Sequence, residues 1–162
     1  MLIIDPTAKI SPLADIEDSV RGTRIVIRER VVIDAFVKIK PAGGTGDVEI
    51  GAGSVVNSGC VIYTGNGVRI GREVAVAANC TFAPVNHEYH RRDITIVSQG
   101  FRSSKGGIEI GDDVWIGANC VFLDGTRIGN GCVIGAGSVV RGMLESYAVY
   151  GGNPLIMLGR RT

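Results

Sequence analysis

The 162-residue chain has two histidines, His87 and His90. They lie three positions apart in Phe82-Ala-Pro-Val-Asn-His-Glu-Tyr-His. An imidazole with a pKa near 6.5 can take a proton from an attacking hydroxyl at neutral pH and hand it on to a leaving group. The same pair is a poor start for a metal centre. Two neighbouring histidines and no Cys-x-x-Cys pair do not supply the ligands of a zinc site. The four cysteines are Cys60, Cys80, Cys120 and Cys132. All four fall at a small, inward position of the repeat described below, so they read as buried thiols. A cysteine nucleophile needs exposure and an electropositive neighbourhood instead. The single tryptophan, Trp115, precedes an inward Ile116, which turns its indole outward.

The elements that must hold these groups follow from a row of hydrophobic residues. Ile110, Ile116, Phe122, Ile128, Ile134 and Val140 recur at every sixth position, and Gly111, Gly117, Gly129 and Gly135 follow four of them. A helix would carry such a row around to solvent, whereas six is a multiple of the strand's two-residue alternation. The pattern predicts short strands joined by tight bends and stacked into a parallel β-helix. Earlier stretches use Ile10 and Ile16, then Ile27, Ile33 and Ile39, then Ile50, Val56 and Ile62, then Ile70, Val76 and Phe82. The repeat breaks over residues 83–107, a length at which irregular segments are usually functional, and both histidines lie inside it. After Val140 the pattern stops. A turn at Gly151-Gly-Asn-Pro154 and the apolar Leu155–Leu158 suggest a capping segment over 143–162 that ends in a short helix. A single domain, 1–162, contains all of this.

Composition removes several classes. The net charge of +1 and the lack of a basic run argue against a nucleic-acid partner. No apolar run reaches membrane-spanning length, and the N-terminus lacks a signal-peptide pattern, so a cytoplasmic protein is expected. The flat outer faces of such a stack invite symmetric self-association.

Asp113-Val-Trp-Ile-Gly-Ala-Asn119, Gly125-Thr-Arg-Ile-Gly-Asn-Gly131, Val133-Ile-Gly-Ala-Gly-Ser-Val-Val140 and Gly152-Asn-Pro154 resemble the hexapeptide-repeat acyltransferases, above all bacterial sugar and polysaccharide O-acetyltransferases. The resemblance implies an all-β, left-handed parallel β-helix, an exception to right-handed crossovers. It also implies a homotrimer with active sites between subunits and acetyl-CoA as acyl donor, with no metal. His87 would be the general base. Asn79, His90 and Gln99 would touch the acceptor, although Gln99 also fits a loop anchor. Trp115 would pack on the pantetheine arm, with backbone from Gly117, Ala118 and Ala136 along the donor. Arg141, near the usual Thr-Lys pair whose Lys is Gly142 here, would bind CoA, and Arg160 with Arg161 could replace, for the CoA phosphates, the basic residues absent beyond the Pro. An orienting carboxylate for His87 could be Asp5, Asp15 or Asp34 of a neighbouring subunit.

The implied activity is direct acetyl transfer from acetyl-CoA to a sugar hydroxyl, of a lipopolysaccharide, capsule or related saccharide. The same scaffold also serves N-acetylation of nucleotide-linked amino sugars and acetylation of xenobiotics or antibiotics. Neither the His nor the repeat separates amine from alcohol.

Overall fold

The sixth-position row determines its own surroundings. In the computed structural model, which describes residues 1–162, Ile116, Phe122, Ile134 and Val140 are fully buried, with Ile110 and Ile128 nearly so. Strands of two or three residues carry them, and these strands form three parallel sheets, the faces of a triangular column. The first face stacks Leu2–Ile4, Ile25–Ile27, Val48–Ile50, Val68–Ile70, Ile108–Ile110, Thr126–Ile128 and Met143–Leu144. The second runs from Lys9–Ile10 through Val32–Ile33, Val55–Val56, Ala75–Val76, Trp115–Ile116 and Val133–Ile134 to Ala148–Gly151. The third runs from Asp15–Ile16 through Lys38–Lys40, Val61–Tyr63, Thr81–Ala83 and Val121–Leu123 to Val139–Val140. Each inward side chain lies on its counterpart in the next coil, as Phe82 does on Phe122 with ring centroids 4.8 Å apart. Burying one such side chain stabilises by about 1.5–3 kcal/mol, so the column is held by the sum of its rungs.

The three corners are not alike. Between the first and second faces, and between the second and third, the chain turns within a few residues, such as 111–114 and 117–120. Each of these turns from the second coil onward has one residue in the left-handed region. Arg30, Gly53, Glu73, Asp113, Gly131 and Tyr147 serve at one corner, and Phe36, Gly59, Asn79, Asn119 and Gly137 at the other. The next residue points inward and is small or a Val, which is where Cys60, Cys80, Cys120 and Cys132 fall. Each thiol donates to a carbonyl of the coil above, Cys80 Sγ to Gly117 O at 3.3 Å and Cys132 Sγ to Glu145 O at 2.9 Å. Burial pushes the Cys132 thiol up, which keeps it protonated.

The third corner carries every irregularity of the chain. The segments 17–24, 41–47, 64–67 and 84–107 all leave and return there, while 124–125 and 141–142 close it tightly. The long break therefore sits on shorter ones beneath it, and Val85 packs over Gly43 and Gly65. Ala83, placed in the break by the sequence, instead completes the strand Thr81–Ala83. The excursion holds one helical turn, Ile96–Gln99, capped by Thr95.

The C-terminus differs from its expectation. Leu155–Leu158 is not a helix, because Ile156–Arg160 is a strand antiparallel to Ala148–Gly151. The top strand of the second face offers an open ladder of backbone groups, and a returning strand satisfies them. Four apolar residues are too few to nucleate a helix against that.

The outward rows divide the faces by chemistry. On the first face Glu49, Arg69, Glu109 and Arg127 alternate in sign up the ladder. On the second the row is Val32, Val55, Ala75, Trp115, Val133 and Val149. The third shows Val61, Thr81, Val121 and Val139 above Lys38. Two faces thus present apolar rows outward.

Candidate functional site

The excursion 84–107 is tied at both ends. Near its start Glu88 N donates to Gly100 O at 2.9 Å and Arg102 N donates to Asn86 O at 2.8 Å, bringing His87 opposite Phe101 as a short antiparallel bridge. At its end Lys105 N and Gly107 N each donate to the Asp124 carboxylate at 2.8 Å, and Asn66 Nδ2 reaches it at 3.3 Å. Asp124 is 6% exposed, a carboxylate held in the corner by backbone donors. The sequence reading missed it. Its Asp-Gly pair is ordinary turn composition, and nothing marks it as the footing of a segment that begins forty residues earlier.

Beneath the excursion runs an open groove of about 1180 Å³, floored by Leu123, Asp124, Gly125, Arg141 and Gly142 and walled by His87, Glu88, Tyr89, Arg102 and Lys105. The exposed His87 ring tilts against Phe101 at 4.7 Å. No group of the chain hydrogen-bonds its imidazole, so both nitrogens are free for a substrate. His90 differs, because its Nε2 lies 2.9 Å from the Arg102 guanidinium. A guanidinium only donates, so that nitrogen is already an occupied acceptor. The Tyr89 ring is tilted against His90 at 4.7 Å and lies under Arg102 at 5.2 Å. Glu88 turns to this cluster rather than to His87. The Tyr89 N–H above all, then that of His90 and the Arg102 guanidinium, hold its carboxyl below the usual 4.5.

The other expected residues fall in three places. Arg141 lines the groove with His87. Gln99 has both amide atoms engaged inside the excursion, its Oε1 accepting from Arg91 N at 3.0 Å and its Nε2 donating to Arg91 O at 2.9 Å, which is an anchor's geometry. Asn79, Gly117, Ala118 and Ala136 belong to the corner between the second and third faces, across the third face from His87. There a Cβ on Gly117 would lie 2.5 Å from Ala136 N, so the two coils meet backbone to backbone. Asn79 is the left-handed residue of its turn, with Oδ1 over Gly59. Trp115 is 54% exposed in the apolar row of the second face. Arg160 is paired with Glu145, and Arg161 bonds Asp113 at 2.8 Å, so both charges are neutralised within the chain. One chain therefore joins His87, His90, Gln99 and Arg141 at one edge, and Asn79 with the Trp115 group at another. The three carboxylates considered as orienting partners are engaged locally: Asp5 by Thr7, Asp15 by Lys38 and Asp34 by Ala35 N.

No three or more of His, Cys, Asp or Glu gather as a metal-binding group. No helix is long and apolar enough to cross a membrane.

Comparison with known proteins places this architecture. Residues 107–142 match the family model described as bacterial transferase hexapeptide, six repeats. No curated protein matches the sequence. Among solved structures, AntD, an N-acyltransferase from Bacillus cereus, in complex with dTDP and 3-hydroxybutyryl-CoA, superposes with a TM-score of 0.78 at 21% identity. That match covers 97% of this chain and 81% of AntD. The hexapeptide-repeat acetyltransferase VCA0836 of Vibrio cholerae, complexed with acetyl coenzyme A, gives 0.74 at 24% identity over 85% of this chain and 71% of that one. The polySia-specific acetyltransferase NeuO gives 0.73 at 22% identity, over 99% and 69%. The chain is a left-handed parallel β-helix whose residues 107–142 match the hexapeptide model, with its longest excursion at the one corner that accepts insertions.

Proposed function

We propose that the protein is an acetyl-CoA-dependent O-acetyltransferase acting on a saccharide hydroxyl, with His87 as general base. The observation that carries this reading is the unengaged His87 imidazole above an open groove. As the acceptor oxygen attacks the thioester carbonyl, His87 takes the hydroxyl proton. The new C–O bond forms, the C–S bond breaks, and the proton passes to the departing CoA thiolate. The backbone N–H of Ala118 would stabilise the oxyanion, since the N–H of Gly117 already donates to Ile134 O at 2.8 Å and no hydroxyl stands there.

The donor needs a surface that takes an apolar arm along the column. The exposed Trp115 between Ala75 and Val133, beside the bare backbone of Gly117 and Ala136, fits that requirement. In this reading three copies assemble so that the His87 edge of one subunit faces the Asn79 and Trp115 edge of the next. The two outward apolar rows support such burial. CoA and acceptor would then meet in each seam, in the cytoplasm where CoA is supplied.

A second reading is N-acylation of a nucleotide-linked amino sugar. AntD favours it, being an N-acyltransferase with dTDP bound. The test is CoA release from acetyl-CoA with parallel panels of hydroxy and amino sugars, aminoglycosides included. Transfer to a hydroxy sugar is expected, and His87→Ala should keep CoA binding while losing about 10²–10⁴-fold in turnover. Full activity in that variant would remove His87 from the role, and acetylation of amino sugars alone would establish the second reading.

A further inference from the structure

We propose that the acceptor is an anion, a saccharide bearing a carboxylate or a phosphate ester, and that Lys105 and Arg141 receive its charge beside His87. This names the substrate class of the site and rests on the acyltransferase reading. The groove contains three permanent cations, Arg102, Lys105 and Arg141, and two carboxylates, Glu88 and Asp124. The carboxylates are already satisfied. Asp124 is buried and accepts from Lys105 N, Gly107 N and Asn66 Nδ2. Glu88 accepts from Tyr89 N at 2.9 Å and His90 N at 3.3 Å and lies 3.6 Å from Arg102, which His90 also engages at 2.9 Å.

That leaves Lys105 and Arg141 with no carboxylate within ion-pair distance, although both line the same concave space as the free imidazole. Arg127, a short way along the same edge, shows the contrast. It lies 3.5 Å from Glu109 and donates to Gly106 O and Gly107 O. Two uncompensated cations in a recess concentrate field there and select an anionic guest. The backbone of Lys105 is anchored at the groove wall by its N–H bond to the buried Asp124, which leaves its ammonium free to reach a guest. The phosphates of CoA offer the same chemistry. They lie in this proposal along the Trp115 face of the neighbouring subunit, and the experiment separates the two sources.

Protein saturated with CoA is titrated calorimetrically with methyl glucoside, glucuronate and glucose 1-phosphate. One of the two anions is expected to bind about tenfold or more tightly than the neutral sugar, and the preferred one tells carboxylate from phosphate. Lys105→Met and Arg141→Met should each reduce that advantage, and the double variant should abolish it with CoA affinity unchanged. Equal binding of the three sugars, or no binding of either anion, overturns the proposal. So does a double variant that loses CoA affinity yet keeps the anion preference, because the two cations then hold the donor. Inability of the wild-type protein to bind CoA sinks the acyltransferase reading instead. The same titrations without CoA still decide whether the groove takes an anion.

Discussion

At the scale of single residues, the chemistry depends on which polar groups are left free. His87 and His90 are the same residue type three positions apart, so composition alone does not choose between them. Three dimensions separate them by occupancy: His90 faces a guanidinium, while His87 rests on Phe101 with its nitrogens unengaged. Asp124 has the opposite character, a carboxylate whose oxygens are fully employed in closing the excursion. Asp124→Ala would leave two backbone N–H groups without partners at a cost of about 1–3 kcal/mol. The expected outcome is faster proteolysis within 84–107 and reduced activity, with Asp124→Asn intermediate because its amide oxygen still accepts one bond. Limited digestion followed by mass spectrometry checks this. Cleavage at the wild-type rate would mean that other contacts hold the excursion.

At the scale of elements, the repeat was legible because six residues fit one side of the column and its corner. Ile116, Phe122 and Ile134 had to point inward together, and they do. Gly after the inward residue lets the coils stack closely, and at Gly117 the structure gives the contact: a Cβ there would strike Ala136 backbone at 2.5 Å. Gly117→Ala should therefore cost about 1–3 kcal/mol through forced separation of two coils. Chemical denaturation followed by circular dichroism measures it, with Gly137→Ala as a comparison. Gly137 has open space around it but a φ of +72°, so its cost is backbone strain alone. The terminal strand, by contrast, was illegible. Leu155–Leu158 gives no periodic signal, and only the unpaired ladder of Ala148–Gly151 draws the following residues into extended pairing. Likewise the anchoring role of Gln99 depends on Arg91, a partner that no spacing rule selects.

At the scale of the whole molecule, the faces differ in what they offer a neighbour. The alternating Glu49, Arg69, Glu109 and Arg127 suit water, whereas Val55, Trp115 and Val133 form a row that a second copy would bury. Sedimentation should give a particle of three 17.0 kDa chains. Val133→Glu should shift it to monomer by placing a charge in an apolar contact. The same variant should lose CoA binding while its circular dichroism remains that of the column. A monomeric wild type that still binds CoA would end the shared-seam arrangement. The gathering of all long segments at one corner has a further consequence. Courses laid above and below are registered by the other two corners, so the chain can gain or lose length at that seam without disturbing its masonry. On the proposed acyltransferase reading, grafting a different span between Ala83 and Ile108 should then change the acceptor taken and leave the donor's footing intact.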